Sequence, residues 1–224
     1  MRTAVIVPVK DFGQAKSRLS ALLAPAERQA LAELLLTGVL EAVSRLPQHI
    51  EKRVVTNFAP AIELAKSRGI AAMVESRQVS ESRSVDWASA LLENAGFGAV
   101  LRVPLDLPLL DTQDLESLLE APEKGLHGVL VPSLYGTGTN AVYRSPPTLF
   151  PSRFGPGSLV AHEASLVALG VPYLVQWRDS LALDLDDPAD VAVLQRSGRD
   201  CAAREYLRRI GADQRLAGLT QEGA

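Results

Sequence analysis

Short apolar segments alternate with longer segments of helical periodicity along the first half of the chain. The β-branched run from Thr3 to Val9 reads TAVIVPV, which is typical of a strand buried on both faces. Pro25 then opens a segment to about Leu46 whose apolar positions recur at helical spacing. Further strands are predicted over 52–56, 70–74 and 99–103, and helices over 60–67 and 86–94. This alternation predicts a mostly parallel sheet covered by helices on both faces.

The second half of the chain contains the same two kinds of segment at less regular intervals. Strands are predicted over 129–132, within YGTGTNAVYR (residues 135–144) and over 173–177. Helices are predicted from about Thr112, over 158–169 and over 188–194, followed by a polar, helical extension from about Arg199. The sequence contains no internal repeat, low-complexity segment or linker, so we expect one α/β domain over residues 1–224.

Composition and charge narrow the class of protein. Of 224 residues, 47% are hydrophobic and 22% are charged, as in ordinary soluble domains, and the sequence contains one cysteine. The net charge of −3 gives no attraction to nucleic acid or to an anionic membrane, and no apolar run approaches the roughly 18 residues of a membrane span. We therefore expect a cytoplasmic protein without a nucleic-acid or membrane partner, and a homodimer stays open.

A basic loop follows the first predicted strand at its carboxyl end. It reads KDFGQAKSR and carries three cations, Lys10, Lys16 and Arg18. Together with backbone N–H groups, these cations could surround a triphosphate. The loop lacks the Gly-Lys-Ser/Thr ending of a Walker loop. The alternative interpretation is a solvated surface loop with scattered charge.

A single carboxylate, Asp106, lies in the apolar segment VPLDLPLL just past the fourth predicted strand. An aspartate among apolar residues is costly unless it is paired, hydrogen-bonded or bound to a metal. The alternative is a turn or helix-cap contact. Asp111 suits that role better, because it directly precedes the helix predicted from about Thr112.

Two further carboxylates, Asp184 and Asp186, are two positions apart in LDLDDP and point to one face of an extended segment. Close carboxylates repel each other unless a cation lies between them. With Asp106 they could form an oxygen-ligand site for Mg²⁺. The alternative is an acidic turn in which Asp187 caps the helix opened by Pro188.

Two glycine-rich loops are candidate anion sites. The first, residues 136–140 (GTGTN), offers the hydroxyl and amide groups of Thr139 and Asn140. The second, residues 154–158 (FGPGS), leads into a predicted helix whose N-terminal N–H groups favour an anion. Ser158 is the expected N-cap of that helix, and His162 lies one turn further on. A capped helix with a structural histidine is the alternative.

Together these motifs resemble a known family, the guanylyltransferases that activate 2-phospho-L-lactate, phosphoenolpyruvate or 3-phospho-D-glycerate in coenzyme F-420 biosynthesis. The resemblance implies a single three-layer Rossmann-like domain of the GT-A nucleotidyltransferase type. The motifs follow the family's order and are VPVKDFGQAKSRL (7–19), VPLDLPLL (103–110), GTGTNAVY (136–143), FGPGSLVAHE (154–163) and LDLDDPAD (183–190).

The resemblance also implies a function and a role for each candidate residue. It implies transfer of GMP from GTP to the phosphate of the small acid, with Mg²⁺ as the cofactor and release of pyrophosphate. Asp106 and Lys16 would be catalytic. The other implied contacts are Lys10, Lys16 and Arg18 with the nucleotide phosphates, Asp106, Asp184 and Asp186 with the metal, and Thr139 or Asn140, Gly155 and Ser158 with the acid. His162 is a further candidate acid contact, because it lies one helical turn after Ser158 and can face the same pocket.

One segment departs from the family pattern. The family usually carries Gly-Leu-Asn near the nucleotide base, whereas this chain has Ser84-Val85-Asp86-Trp87. Asp86 could accept hydrogen bonds from guanine N1–H and N2–H, or it could cap a helix. The base preference, the acceptor and the number of metal ions therefore stay open.

Other functions fit parts of the pattern. Another nucleotidyltransferase, acting on a sugar phosphate or a molybdopterin, would share the fold and the metal. A nucleotide-binding regulatory module would bind GTP without chemistry, and a purely structural protein would not need Asp, Gly and Lys clustered at strand ends. A Rossmann dehydrogenase is disfavoured, because no G-x-G-x-x-G follows the first strand.

Overall fold

Seven strands form one sheet in the computed structural model, which describes residues 1–14 and 16–222. They are β1 (Thr3–Pro8), β2 (Glu51–Val55), β3 (Ala71–Met73), β4 (Ala99–Arg102), β5 (Gly128–Pro132), β6 (Thr139–Arg144) and β7 (Tyr173–Val175). Their order across the sheet is β3-β2-β1-β4-β6-β5-β7. Only β6 runs antiparallel to its neighbours in this described sheet, which confirms the prediction of a mostly parallel sheet.

The direction of β6 brings distant loops to one edge of the sheet. The carboxyl ends of β1 and β4 lie at this edge because the two strands are parallel. The amino end of β6 lies there as well, because β6 is antiparallel to β4 and pairs Val142 with Arg102. The loops after β1 and β4 and the loop before β6 therefore meet, as ligand-binding loops do in open α/β sheets.

Helices connect and cover the strands. The longer ones are α1 (Pro25–Ser44), α2 (Ala59–Lys66), α3 (Glu81–Asn94), α4 (Thr112–Leu119) and α5 (Ser158–Leu169). A short α6 (Asp179–Ala182) precedes α7 (Pro188–Arg196), α8 (Ala202–Arg209) and α9 (Ala212–Glu222). Within the described ranges, no helix is both long and apolar enough to cross a bilayer.

The sheet is covered on both faces, as the alternation of its side chains requires. Val5 and Val7 of β1 pack with α1, α2 and α4 in one apolar cluster. Ala4 and Ile6 of the same strand point to the other face and pack against α3. Leu166 of α5 packs on Leu130 of β5 in a separate cluster. The protein thus has the three predicted layers.

The C-terminal extension from about 199 is helical, as predicted, and it packs on the body of the protein. Leu207 of α8 is fully buried in a cluster that includes Leu31 and Leu35 of α1. Arg215 of α9 forms an ion pair with Glu27 at the start of α1. Although the segment is polar in composition, one face of it is apolar and is buried against α1.

One helix start and one N-cap differ from the sequence-based prediction. Helix α3 begins at Glu81, five residues before the predicted start at Asp86, because the Ser80 hydroxyl caps it and accepts from Arg83 N–H at 3.2 Å. Helix α5 begins at Ser158 as predicted, but Gly157 is its N-cap, with φ 76°, and Ser158 is not. The caps predicted at Asp111 and Asp187 are both confirmed.

Candidate active site

A buried lysine joins two of the three candidate carboxylates. Lys16 Nζ lies 2.8 Å from Asp106 Oδ2 and 2.8 Å from Asp186 Oδ1. The lysine side chain is 5% exposed, and its backbone is left-handed at φ 54°. A non-glycine residue in that region is uncommon and is found most often where the surroundings hold it for a function.

Backbone contacts bring these side chains together from three parts of the chain. Lys16 lies between two 3₁₀ turns, Phe12–Gln14 and Ser17–Ala21, in the loop after β1. Asp106 lies in the loop after β4. Leu185 N–H donates to the Asp106 carbonyl oxygen at 3.1 Å, which holds the segment of Asp184 and Asp186 beside that loop.

The third carboxylate, Asp184, is held by an amide. Asn140 Nδ2 donates to Asp184 Oδ1 at 3.2 Å and to the carbonyl oxygens of Leu181 and Ala182 at 2.7 and 2.9 Å. Asn140 therefore fixes the acidic segment through its side-chain donors. This contact differs from the direct contact with the acid that the resemblance implied, although Asn140 does line the cavity described below.

Charge in this cluster is unevenly balanced, as the pKa shifts indicate. Burial raises the pKa of Asp184 to about 6, and the neighbouring Asp106 adds to the shift. Burial acts against the ionised forms of Asp106 and Lys16 too. Their mutual attraction outweighs it, so that the pKa of Asp106 is lowered and the pKa of Lys16 is raised. The Lys16 ammonium thus contacts two of the three carboxylates, whereas the partner of Asp184 among the described side chains is the neutral amide of Asn140.

The donor set suits a divalent cation in part. Among the described residues, no three carboxylate, histidine or cysteine side chains are arranged as a ready-made metal site. Magnesium, however, is commonly held by one or two carboxylates together with substrate phosphates. The excess negative charge at Asp106 and Asp184 fits that mode of binding, and the role of Mg²⁺ stays a prediction.

A cavity of about 330 Å³ opens at the edge of the sheet beside the carboxylates. It contains four of the five residues expected to contact the acid, namely Thr139, Asn140, Gly155 and Ser158. Its other walls include all three candidate carboxylates and Arg102. We call it the first cavity.

His162, the fifth expected acid contact, lies behind the wall of the first cavity. It is fully buried. Its Nδ1 is 3.2 Å from Thr139 Oγ1, and its Nε2 accepts from Arg153 N–H at 2.9 Å. His162 therefore contacts a residue of the cavity wall, while the cavity itself is lined by other residues.

A second cavity of about 380 Å³ lies beside the first. It is lined by Lys10 and Lys16 of the basic loop and by Gln78 and Ser84. The two cavities share a wall that consists of Pro8, Glu81, Leu105, Asp106 and Asp186. Two ligands could therefore approach each other beside Asp106.

Two predicted nucleotide contacts lie elsewhere than expected. Arg18 lines the first cavity, which contains the expected acid contacts, and not the second. Asp86 lines neither cavity: its carboxylate accepts from Ser152 N–H at 3.0 Å and pairs with Arg144 at 3.3 Å. The helix-cap alternative for Asp86 is wrong, because α3 begins at Glu81 and Asp86 lies in its second turn, whereas its contact with the base stays a prediction.

Comparison with known proteins identifies the family. A family model described as "Guanylyl transferase CofC like" matches residues 3–219. The chain belongs to the CofC-like guanylyltransferase family. The resemblance drawn from the motifs is thereby confirmed.

Relatives of this CofC-like chain differ in the acid that their names carry. A phosphoenolpyruvate guanylyltransferase of Rubrobacter xylanophilus is 35% identical over 88% of this chain and 96% of its own length. A 3-phospho-D-glycerate guanylyltransferase of Colwellia psychrerythraea is 30% identical over 87% and 91%. A 2-phospho-L-lactate guanylyltransferase of Methanothermobacter thermautotrophicus is 29% identical over 94% and 92%.

Solved structures confirm the nucleotidyltransferase-type fold of the CofC-like chain. A candidate nucleotide-diphospho-sugar transferase from Desulfovibrio desulfuricans superposes with a TM-score of 0.78, covering 97% of both chains at 15% identity. A 4-diphosphocytidyl-2C-methyl-D-erythritol synthase superposes with a TM-score of 0.56, covering 86% of this chain and 97% of its own at 15% identity. At such identities the likeness concerns the fold.

Sequence reasoning missed Arg102 in this CofC-like site. Its side chain is almost fully buried, yet it reaches the first cavity from β4. It donates to the carbonyl oxygens of Thr139 and Asn140 at 3.3 and 3.1 Å, pairs with Glu81 and lies 4.0 Å over the Phe154 ring. An arginine inside the apolar strand sequence AVLRV was a signal, because a buried cation requires partners.

Proposed function

We propose that the protein transfers GMP from GTP to the phosphate of a small phosphorylated carboxylic acid and releases pyrophosphate. The observation that carries the proposal is the wall shared by the two cavities, where Lys16 bridges Asp106 and Asp186. The second cavity would hold GTP through its lysines. The first cavity would hold the acid, and the two phosphates would meet beside Asp106.

The reaction is a single displacement at phosphorus. An oxygen of the acid's phosphate attacks the α-phosphorus of GTP and forms the new P–O bond. The bond from that phosphorus to the oxygen bridging to the β-phosphorus breaks, and pyrophosphate leaves with both electrons. The attacking oxygen is already an anion at neutral pH, so the chain needs no general base. This agrees with the neighbourhood of Asp106, which is built from carboxylates and cations.

Electrostatic repulsion is the main obstacle to this reaction. Two unit charges at about 4 Å repel by roughly 4 kcal/mol at an effective dielectric constant of 20. Lys10 lines the second cavity and Arg18 lines the first, so each phosphate would have a cation beside it, while Lys16 and Arg102 add charge that is shared with the carboxylates they pair with. Placing such groups before the reaction lowers the barrier, because they need not reorganise as charge shifts.

Asp106 and Asp184 are the residues we assign to a magnesium ion. A bound Mg²⁺ would neutralise phosphate charge and help to align the displacement. Asp106 and Asp186 each pair with Lys16 at 2.8 Å, so an ion held by Asp106 would share that carboxylate with the lysine, and Asp186 is the third carboxylate within reach of the same site. Asn140 would then hold Asp184 in place through its amide donor.

Gln78 supports guanine as the base. Its Nε2 donates to the Val9 carbonyl oxygen at 2.6 Å and to Thr56 Oγ1 at 3.3 Å. With both donors engaged, its carbonyl oxygen is left as an acceptor in a residue that lines the second cavity. The Watson–Crick edge of guanine offers N1–H and N2–H donors, whereas adenine offers an acceptor at N1. Gln78 replaces Asp86 as our candidate base contact.

Phosphoenolpyruvate is our first choice of acceptor, and the product would serve deazaflavin coenzyme biosynthesis. The relatives at 35%, 34% and 32% identity from Rubrobacter xylanophilus, Sphaerobacter thermophilus and Conexibacter woesei are all named phosphoenolpyruvate guanylyltransferases. The relatives named for 2-phospho-L-lactate and 3-phospho-D-glycerate lie at 29% and 30%. In phosphoenolpyruvate and 2-phospho-L-lactate the phosphate is on the carbon next to the carboxylate. In 3-phospho-D-glycerate it is one carbon further away.

The proposal is tested by offering the purified protein GTP, Mg²⁺ and one acceptor at a time. The acceptors are the three phospho-acids and, for the rival nucleotide-sugar activity, glucose 1-phosphate. Pyrophosphate release and the mass of the product are measured, with ATP as a matched control donor. We expect a guanosine-diphosphate conjugate of phosphoenolpyruvate. GTP binding without pyrophosphate from any acid would contradict the proposal, and product from the sugar phosphate alone would favour the rival.

A further inference from the structure

Two hydrogen bonds fix the tautomer of the buried His162. Its Nε2 faces a backbone donor, Arg153 N–H, at 2.9 Å, so this nitrogen must be the acceptor. A neutral imidazole with an acceptor at Nε2 carries its proton on Nδ1. That Nδ1 lies 3.2 Å from Thr139 Oγ1. The His162 ring therefore donates to the Thr139 hydroxyl.

The Thr139 hydroxyl has a second hydroxyl neighbour. Ser158 Oγ lies 3.1 Å from Thr139 Oγ1, and both residues line the first cavity. His162 Nδ1, Thr139 and Ser158 each carry one proton that can be donated. Two of these protons are used in the hydrogen bonds between His162 and Thr139 and between Thr139 and Ser158. One O–H is therefore left over, whichever hydroxyl donates to the other. Both residues are almost fully buried but line the first cavity, so we infer that this O–H serves as a donor there.

We propose that His162 is a positioning residue that commits one hydroxyl proton of the Thr139–Ser158 pair to an anionic oxygen of the acceptor. Without a donor at Nδ1, the Thr139 hydroxyl could donate its proton toward residue 162, and Ser158 could donate to Thr139. Neither hydroxyl would then have a proton left for the ligand. With the Nδ1 donor present, the Thr139–Ser158 pair always has one proton left to donate. The inference rests on the proposed function, because it assigns the first cavity to a phosphorylated acid.

The surroundings of His162 keep the ring neutral and in place. Burial lowers its pKa to about 4, and the cationic Arg144 and Arg102 add to the shift. Arg153 acts in the same direction, and Asp86 opposes it. The rings of Phe150 and Phe154 lie 5.5 and 5.2 Å from the imidazole, centroid to centroid. A protonated ring would also place an N–H against Arg153 N–H, so the chain of donors persists at neutral pH.

A matched pair of substitutions separates the two nitrogens of His162. An asparagine amide can occupy the position of Nδ1 and donate to Thr139, so His162→Asn keeps the proposed contact and loses the one to Arg153. A glutamine amide reaches the position of Nε2, so His162→Gln keeps the contact to Arg153 and loses the proposed one. We expect His162→Gln to raise KM for the phospho-acid on the order of tenfold, the effect of one oriented hydrogen bond to an anion. His162→Asn should raise it less, and KM for GTP should stay within about twofold of the wild type in both, because that hydrogen bond is made to the acid.

A double-mutant cycle tests whether His162 acts through Thr139. In a Thr139→Val background, the hydroxyl that receives the proton is gone, and His162→Gln should add little further loss. Losses that add fully, equal losses for the Asn and Gln variants, or an equal rise of KM for GTP would overturn the proposal. Thermal unfolding of each variant identifies any loss that comes from misfolding.

The tautomer can also be read in the wild-type protein, independently of activity and of any variant that fails to fold. A long-range ¹⁵N–¹H spectrum distinguishes protonated from unprotonated ring nitrogens, and the chain has 3 histidines to assign. We expect a protonated Nδ1 and an unprotonated Nε2 for His162 at neutral pH. A proton on Nε2 would overturn the inference. Failure of the proposed function would appear differently, as no product from any phospho-acid with the wild type.

Discussion

The two cavities differ in how they could hold an anion. The second cavity, at the ends of β1 and β2, is lined by the ammonium groups of Lys10 and Lys16. The first cavity, at the amino end of β6 and of α5, includes the hydroxyls of Thr139 and Ser158, the glycine backbone of Gly155 and guanidinium groups at its walls. Lysines line the second cavity, whereas the first cavity combines arginines with a chain of neutral hydroxyl donors.

This difference follows from what each ligand would require. A triphosphate carries several charges and must lose pyrophosphate, so it needs several cations that are already in place when the charge shifts. A small phospho-acid must be distinguished from similar acids, and oriented hydrogen bonds discriminate better than charge alone. The substitutions below should therefore affect the two substrates separately.

The largest loss is expected at the shared wall. Asp106→Asn removes the charge that pairs with Lys16 at 2.8 Å, and we expect turnover to fall at least about a hundredfold, the scale of one preorganised electrostatic contact. Pyrophosphate release under saturating substrates is the measurement. Asp111→Asn is the matched control, because Asp111 caps α4, asparagine is an equally good cap, and turnover should therefore stay unchanged in a stable protein. Near-normal turnover of a folded Asp106→Asn protein would refute the assignment.

Asp184→Asn should make the protein more stable and less active. Because the folded state raises the pKa of Asp184 from 3.8 to about 6, ionisation of this group weakens the fold as pH rises through that window. The shift in pKa corresponds to a destabilisation of the folded state by at most about 3 kcal/mol. This destabilisation is present at pH 7 and is absent below the pKa of the unfolded state. Denaturant unfolding at pH 7.5 and pH 4 checks the sign.

The effect of Mg²⁺ on thermal stability tests whether Asp184 binds the ion. If Asp184 binds Mg²⁺, the ion should raise the melting temperature of the wild type more than that of Asp184→Asn. An equal response of the two proteins would remove Asp184 from the metal site. A variant that is less stable than the wild type at pH 7.5 would contradict the pKa argument itself.

Thr139→Val tests the first cavity alone. The substitution keeps the shape of the side chain and deletes the hydroxyl that contacts Ser158 and His162. We expect KM for the phospho-acid to rise about tenfold with KM for GTP little changed. Steady-state kinetics with each substrate varied in turn gives both values, and Thr148→Val, an exposed threonine that contacts Glu93, is the control.

Lys10→Gln tests the second cavity alone and complements Thr139→Val, because it should affect GTP and not the phospho-acid. Lys10 is exposed, so its attraction for a phosphate is screened, and we expect KM for GTP to rise only a few-fold, about the effect of a surface charge contact. The rise should shrink with added salt. A larger effect on the phospho-acid than on GTP would reverse our assignment of the cavities.

The smallest effect is expected at Asp86, which lines neither cavity. Asp86→Asn weakens the ion pair with Arg144, and turnover and both KM values should stay within about twofold because no ligand contact is lost. Gln78→Leu is the matched comparison, since it removes the proposed base contact and should raise KM for GTP. A selective loss of GTP affinity in Asp86→Asn would restore the original base assignment.

Much of the fold could be predicted from the sequence, because strand periodicity and caps are local. The buried strand at Thr3, the helix opened by Pro25 and the caps at Asp111 and Asp187 all carry their signal within a few residues. The start of α3 was missed because the apolar period is weak between Ser80 and Asp86. Helix α6, Asp179–Ala182, was not predicted, because four residues hold no periodicity.

The site was predictable only in part, because its contacts join distant segments. The carboxylates and basic residues were found as strand-end motifs, but nothing local shows that Lys16 lies between Asp106 and Asp186, which are 90 and 170 positions away. Gln78 was missed for the same reason, whereas Arg102 was missed although its position in an apolar strand was a local signal. Arg18 and Asp86 had the right chemistry for a nucleotide, and their positions depend on tertiary packing that the sequence pattern does not contain.

The most direct measurement is a crystal structure with a non-hydrolysable GTP analogue, Mg²⁺ and phosphoenolpyruvate bound together. We predict the nucleotide phosphates beside Lys10 and Lys16, the acid beside Thr139 and Ser158, and its phosphate oxygen in line with the α-phosphorus near Asp106. Phosphoenolpyruvate bound in the cavity of Lys10 and Gln78, or two ligands separated by the wall of Asp106, would contradict the account.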